Sequence, residues 1–267
     1  HGTDAETSET LGASSFLTDL MTRGAGTRDA MALAGAADKL GAHLGASVSR
    51  ETLSVSINGL AEDASAMLAL LADVARRPTL AQAEYERLVR EYSAAYQSRR
   101  SRPKTLANHA IMRLLYGTDR MGRPGDGDPA SLKQLTQAKI RQVLADTVQP
   151  SHLTIGVFGD LHPAAVRALL EPAFGTWKGD AKPYIPDFPV VTDGPTVHIV
   201  DKPDLTQVQV ILAHAGIQRA HPQYEAAQLL NYSLGGGGFS SRLMKLIRSK
   251  EGLTYGIRSG FAGGERG

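Results

Sequence analysis

The chain has 267 residues, 42% of them hydrophobic and 21% charged, with a formal net charge of +2. That length suits two domains of moderate size with ordinary globular cores. The near-neutral balance gives no electrostatic argument for nucleic-acid binding, and zero cysteines exclude disulfides, thiolate-held zinc and thiol nucleophiles.

The first segment, GASSFLTDLMTRGAGT from Gly12 to Thr27, places Phe16, Leu17, Leu20 and Met21 at helical spacing. Arg28 to Leu44 continues at that spacing and reads as one helix ended by Gly45. Thr52 to Ile57 alternates with period two, as a half-buried strand does. Ala61 to Ala75 is amphipathic, with Met67, Leu68, Leu70, Leu71 and Val74 on one broad face, and Pro78 closes it. A long helix rich in Glu and Arg spans about Ala81 to Arg100, and Pro103 separates it from a helix over about Lys104 to Leu115. Tyr116 to Pro129 reads as loop and Ser131 to Thr147 as helix. His152 to Phe158 reads as a strand, and Pro163 opens the next helix in its first turn.

Lys178 to Pro195 has no periodicity and carries Pro183, Pro186, Pro189 and Pro195. Residues 181–195 are therefore expected to form an extended linker between domains at 1–180 and 196–267. Beyond it come strands at Thr196 to Val200 and Gln207 to Ala213, then a helix from about Pro222 to Leu234. The glycine loop Gly235 to Gly238, a helix at Ser240 to Arg248 and a strand at Leu253 to Phe261 complete the chain. These are few elements for a second domain as large as the first, so that domain is expected to be truncated.

Four stretches, in this order, carry a family resemblance. They are GASSFLTDLMTRGAGT, the helix ERLVREYSAAYQSRRSRP from Glu86 to Pro103, LLYG at 114–117 with HLTIGVFGDL after it, and GGGGFSSRLMKLIRSKEGLTYGIRSGF. Together they identify the chain as similar to the pitrilysin/insulinase-type (M16) zinc peptidases, in the two-domain subfamily that includes the mitochondrial processing peptidase. The resemblance implies an α+β fold of two similar domains, each a mixed or antiparallel sheet with helices packed on one face.

Active members put H-x-x-E-H on the first helix, where two histidines hold zinc and the glutamate serves as general base. The matching positions here are Ser15, Thr18 and Asp19. The family's third ligand, a glutamate on the long helix, falls in the window Ser93 to Gln97, which holds no carboxylate; Glu91 is nearby but out of phase. Two hydroxyls and one carboxylate do not make a competent zinc site. The resemblance thus implies a non-catalytic subunit with no metal or cofactor of its own, partnered by a catalytic M16-type subunit that carries H-x-x-E-H and zinc. Two alternatives stay open: a structural scaffold with no role in proteolysis, and an active zinc peptidase whose metal site is not recognised.

Arg248 and Tyr255 match the Arg and Tyr that, in the family, reach from the second domain to the zinc site and bind substrate. By the same resemblance Gly235, Gly236, Gly237, Gly238 and Phe239 form a substrate-contacting loop. Residue by residue, an Arg at a helix end also complements the helix dipole, and a Tyr in a strand is often half-buried core. The glycine run fits equally a helix C-cap. It lacks the Lys-Ser/Thr of a phosphate loop and comes after a helix rather than a strand, which argues against a nucleotide loop. The eight histidines include no pair three or four apart, and no G-x-S-x-G elbow is present. Arg99, Arg100, Arg102 and Lys104 read as a solvated helix terminus.

No apolar run approaches the roughly 18 residues of a membrane span. The chain opens without an initiator Met and with no visible signal peptide, so it reads as starting within a domain. Export of many bacterial family members favours the periplasm over the cytoplasm, and peptides are the implied substrate.

Overall fold

Helix α1 (Ala13–Met21) is buried along Ala13, Phe16, Leu17, Leu20 and Met21, all at 0% exposure, with Ser14 and Thr18 almost as deep. Five apolar residues at this spacing make a stripe that must be covered from several sides. Its start is fixed from upstream: the Glu6 carboxylate accepts from the backbone N–H groups of Gly12 at 2.9 Å and Ser14 at 2.8 Å. A carboxylate there satisfies two orphan donors and opposes the positive end of the helix dipole. Gly12 has φ +84°, and a Cβ on it would meet the Asp126 carbonyl carbon at 2.8 Å, so the close approach of residues 126–127 requires glycine.

The structure, a computed structural model, describes residues 2–99, 101–118, 120–179 and 194–261. Contacts divide the chain into one unit at 1–211 and another at 212–267. Most of the expected 181–195 linker lies outside the described residues.

In the first unit, β1 (Gly24–Ala25) and β2 (Arg28–Asp29) pair antiparallel through a turn at Gly26, φ +61°. The Asp29 side chain accepts from Ala32 N at 2.8 Å and starts α2 (Ala30–Lys39). The single helix expected over 28–44 is corrected at both ends. Its first two residues pair in the hairpin, and Gly41, at φ +57°, turns the chain out of the helix so that β3 (His43–Val48) can begin. β3 pairs antiparallel with β4 (Leu53–Asn58) in the register Leu44↔Ile57, Ala46↔Val55 and Val48↔Leu53. These residues form the covered face, and Ser54, Ser56 and Asn58 face out. This is the period-two burial that the sequence implies.

Helix α3 (Ala64–Arg76) buries Met67, Leu68, Leu70 and Val74. Next comes α4 (Gln82–Arg99), and α5 (Pro103–Tyr116) starts with Pro103 in its first turn. The helix expected over 131–147 is two helices, α6 (Pro129–Gln134) and α7 (Gln137–Thr147). Thr136 breaks it by becoming an extended N-cap whose hydroxyl accepts from Lys139 N, and the intervening Leu135 is buried. A capping box of Asp128 and Ser131 starts α6. Pro163 opens α8 (Pro163–Phe174), as its position implies. Helix α1 packs against β3, α4 and α7, and α3 packs against β4 and α8.

The second unit contains α9 (Tyr224–Asn231), a π-helical turn at Tyr232–Gly236, a 3₁₀ turn at Gly238–Ser240 and a π-helical segment at Met244–Lys250. The chain is α+β, with its strand pairing in the two antiparallel hairpins among the described residues. The strands expected at 152–158, 196–200, 207–213 and 253–261 are corrected accordingly: their backbone forms no ladder. An alternating pattern becomes a strand only when a neighbour takes up its hydrogen bonds. Without one, Phe158, Ile199, Val210 and Leu253 stand exposed.

Candidate functional site

The three motif positions on α1 are engaged within the fold. Ser15 Oγ donates to the Gly125 carbonyl at 3.2 Å. Thr18 Oγ1 bonds back to the carbonyls of Ser14 at 3.1 Å and Ser15 at 2.9 Å, a satisfied buried hydroxyl. Asp19 is exposed, and its Oδ2 accepts from the Tyr92 hydroxyl at 2.9 Å.

The facing helix α4 supplies aromatic rings. Phe16 lies 5.5 Å from Tyr85 and 5.2 Å from Tyr92 between ring centroids, and Tyr92 meets Tyr96 edge-on at 5.9 Å. In the window where the family's third ligand would fall, Ser93 Oγ bonds back to the Val89 carbonyl at 2.8 Å. Tyr96 is buried there, its hydroxyl donating to the Asp126 carbonyl at 2.6 Å. Glu91 points elsewhere, to a bidentate pair with Arg23 at 3.1 and 2.7 Å that lowers its pKa. Sequence reasoning missed the tyrosines. The available signal was their spacing, Tyr85, Tyr92 and Tyr96, which sets them with Leu88 on one face of a helix rich in Glu and Arg.

Burial raises the phenol pKa of all three above the ordinary value of 10.0, and Asp19 for Tyr92 and Asp126 for Tyr96 raise it further. Such phenols stay protonated in the fold at a pH where the unfolded chain ionises them. The native state then holds more protons, so their contribution is complete below about pH 10 and is lost as pH rises above it. In an alkaline titration of the chain's eight tyrosines, absorbance at the tyrosinate band should rise in two stages. The late stage should coincide with loss of helical circular dichroism and should shrink when Tyr85, Tyr92 and Tyr96 are changed to Phe.

In the second unit, the structure brings Arg248 and Phe239 together: the guanidinium carbon lies 4.7 Å from the ring centroid. Phe239 and Tyr255 are exposed, Tyr255 at 88%. The glycine run is a tight turn. Gly237 N donates to the Tyr232 carbonyl at 2.8 Å, and Gly238 takes φ +62°. Gly235 is buried, and a Cβ on it would lie 2.4 Å from Ser259 N, a backbone atom that cannot swing aside. Gly235→Ala is expected to destabilise the second unit by about 1–3 kcal/mol, as overpacking does. Thermal melts of that variant against Gly238→Ala, where a Cβ meets nothing within 4 Å but φ is positive, separate crowding from backbone strain.

Two family models between them match most of the chain. The one described as insulinase (peptidase family M16) matches residues 1–125, and the one described as the peptidase M16 inactive domain matches residues 134–266. The chain belongs to peptidase family M16. An uncharacterised zinc protease of Bacillus subtilis is 26% identical over 261 residues, covering 97% of this chain and 62% of the relative. One of Mycobacterium leprae is 27% identical over 263 residues, covering 97% of this chain and 58% of the relative. The chain thus spans about three fifths of the length of these relatives. Among solved structures, the peptidase M16 inactive domain from Pseudomonas fluorescens superposes with TM-score 0.83 at 25% identity, covering 98% of this chain and 63% of that one. A protease from Helicobacter pylori has the same fold, with TM-score 0.81 at 17% identity, over 97% of this chain and 63% of that chain.

The M16 relatives' names carry zinc, and the residues here do not fit it at the motif helix. Structural and catalytic zinc takes thiolate, imidazole or carboxylate ligands, three or four at a time. Thr18 and Ser15 offer hydroxyls already bonded to carbonyls, Asp19 is bonded to a phenol, and α4 presents Tyr96 in its ligand window. Among the described residues no group of three or more His, Asp or Glu is placed to hold a metal. The described helices include none long and apolar enough to cross a membrane.

Proposed function

We propose that this chain is the non-catalytic, zinc-free subunit of a heterodimeric M16 metallopeptidase in the periplasm. In this reading it closes one side of a peptide-binding chamber, and a partner carrying H-x-x-E-H supplies the metal and the general base. One observation carries the reading: in an M16 chain, the motif positions of α1 are a serine bonded to the Gly125 carbonyl, a threonine bonded to the helix's own carbonyls and an aspartate bonded to Tyr92.

The second unit contributes substrate contacts. Peptide hydrolysis builds negative charge on the carbonyl oxygen, and a guanidinium and a phenol lower its energy if they are positioned beforehand. Arg248 and Tyr255 are those donors. Arg248 has a planar fork of N–H groups suited to carbonyl and carboxylate oxygens, and its stacking on Phe239 limits its freedom before substrate arrives. Gly235 to Gly238 let the chain turn tightly beside Phe239, where a peptide backbone can approach.

Affinity-tagged chain expressed in its own host should co-purify with an H-x-x-E-H homologue. The pair should cleave oligopeptides, and this chain by itself should not. Cleavage by the purified chain alone that stops on adding chelator would sink the reading.

A further inference from the structure

Tyr85, Leu88, Tyr92, Tyr96 and Arg99 recur on α4 in steps of three and four residues and so share one face. Each phenol on that face reaches a different part of the fold. Tyr85 donates to the Leu135 carbonyl between α6 and α7 at 2.6 Å, Tyr92 to Asp19 on α1 at 2.9 Å, and Tyr96 to the Asp126 carbonyl at 2.6 Å. Arg99 completes the row. It holds the Asp126 carboxylate through both terminal nitrogens, one at 2.7 Å, and lies 5.0 Å over the Tyr96 ring. Residues 125–127 are also fastened to α1, through Ser15 and the close packing at Gly12.

We propose that this tyrosine row is a metal-independent clasp. Its phenols join α4 to α1 and to Asp126 across the face where the family motif would sit. They occupy that face, so that a divalent cation neither binds there nor contributes to folding. The cation clause rests on the zinc-free reading above, whereas the clasp itself rests only on these contacts. A phenol bonded to a carboxylate makes a charge-assisted tie, and a buried phenol bonded to a carbonyl leaves that carbonyl unsatisfied when removed.

The test is denaturant unfolding of the full chain with zinc chloride in excess and with chelator, together with a double-mutant cycle. The midpoint should be the same in both solutions. Tyr92→Phe and Asp19→Ala should each raise the unfolding equilibrium constant about fivefold, and the double variant should do little more than either alone. Tyr96→Phe should raise it about tenfold and speed hydrogen exchange at residues 125–127. Asp19 is exposed, so its variant retains the fold even where Tyr96→Phe does not. Effects of Tyr92→Phe and Asp19→Ala that simply add, with a zinc-insensitive midpoint, overturn the clasp alone. A midpoint raised by zinc and lowered by chelator overturns cation exclusion and the zinc-free reading together.

Discussion

Arg120→Met should cost about 3–5 kcal/mol of stability at neutral pH, and the loss should diminish as the solution is acidified. Arg120 and Glu6 form a buried pair, Nη2 to Oε2 at 3.2 Å, with side chains 8% and 2% exposed. Arg120 Nε also donates to the Thr3 carbonyl at 2.6 Å. Removing the guanidinium leaves a carboxylate held by uncharged donors, the Gly12 and Ser14 amides and the Ser14 hydroxyl. Burial already raises the Glu6 pKa, and Arg120 is the largest influence holding it down. A carboxyl with a raised folded pKa contributes most stability below its unfolded value, about 4.5, and loses it as pH rises through the folded value. Without Arg120 that folded value climbs further, so the penalty is complete near neutrality and relieved once Glu6 can take a proton. Denaturant midpoints at pH 7 and pH 5 check the sign. Glu6→Gln combined with Arg120→Met should recover part of the loss, because an uncharged pair costs less to bury than a lone charge. An equal loss at both pH values would mean that Arg120 matters for packing rather than for charge.

Much of the first unit is legible from residue pattern because its determinants are local. The α1 stripe, the period-two residues of β4, Pro103 and Pro163 at helix starts and the amphipathic α3 each announce themselves within a dozen residues. The misread junctions turn on single residues whose conformation is set by the segment downstream of them. Gly41 ends α2 because residues 43–48 have a hairpin partner, and Thr136 splits a helix because its hydroxyl caps the second half better than it continues the first. The family motif points to α1, and Ser15, Thr18 and Asp19 are indeed gathered on that helix. The residues filling the space opposite were hidden, since Tyr92 and Tyr96 meet their partners across separations of 73 and 30 residues. No local spacing encodes a contact of that range. Phe239 and Arg248 likewise meet only once the 3₁₀ turn at Gly238–Ser240 and the π-helical segment at Met244–Lys250 bring them together.

In an assembly reconstituted with an H-x-x-E-H partner, Arg248→Ala in this chain should lower kcat/KM about 10²–10³-fold, the equivalent of roughly 3–4 kcal/mol of barrier. The size reflects timing: a donor aimed at the oxygen that becomes negative acts mainly in the transition state, so kcat falls with kcat/KM. Arg248→Lys keeps the charge but not the planar fork and should recover only part of the rate. Tyr255→Phe removes one hydroxyl from an exposed ring, so its effect on folding should be small and its effect on turnover separable. Phe239→Ala releases the guanidinium from its stacked position and should lower kcat in the same direction as Arg248→Ala but by less, because the cost of ordering Arg248 then falls on the step in which it acts. A scaffold subunit predicts the opposite pattern: all four variants would assemble with the partner and turn over at the unaltered rate. The same stacking contact is what gives the scaffold reading its footing, since a guanidinium held on a ring can serve packing alone. A loss of kcat in Arg248→Ala, shared to a smaller degree by Phe239→Ala, tells a poised donor from a structural cation.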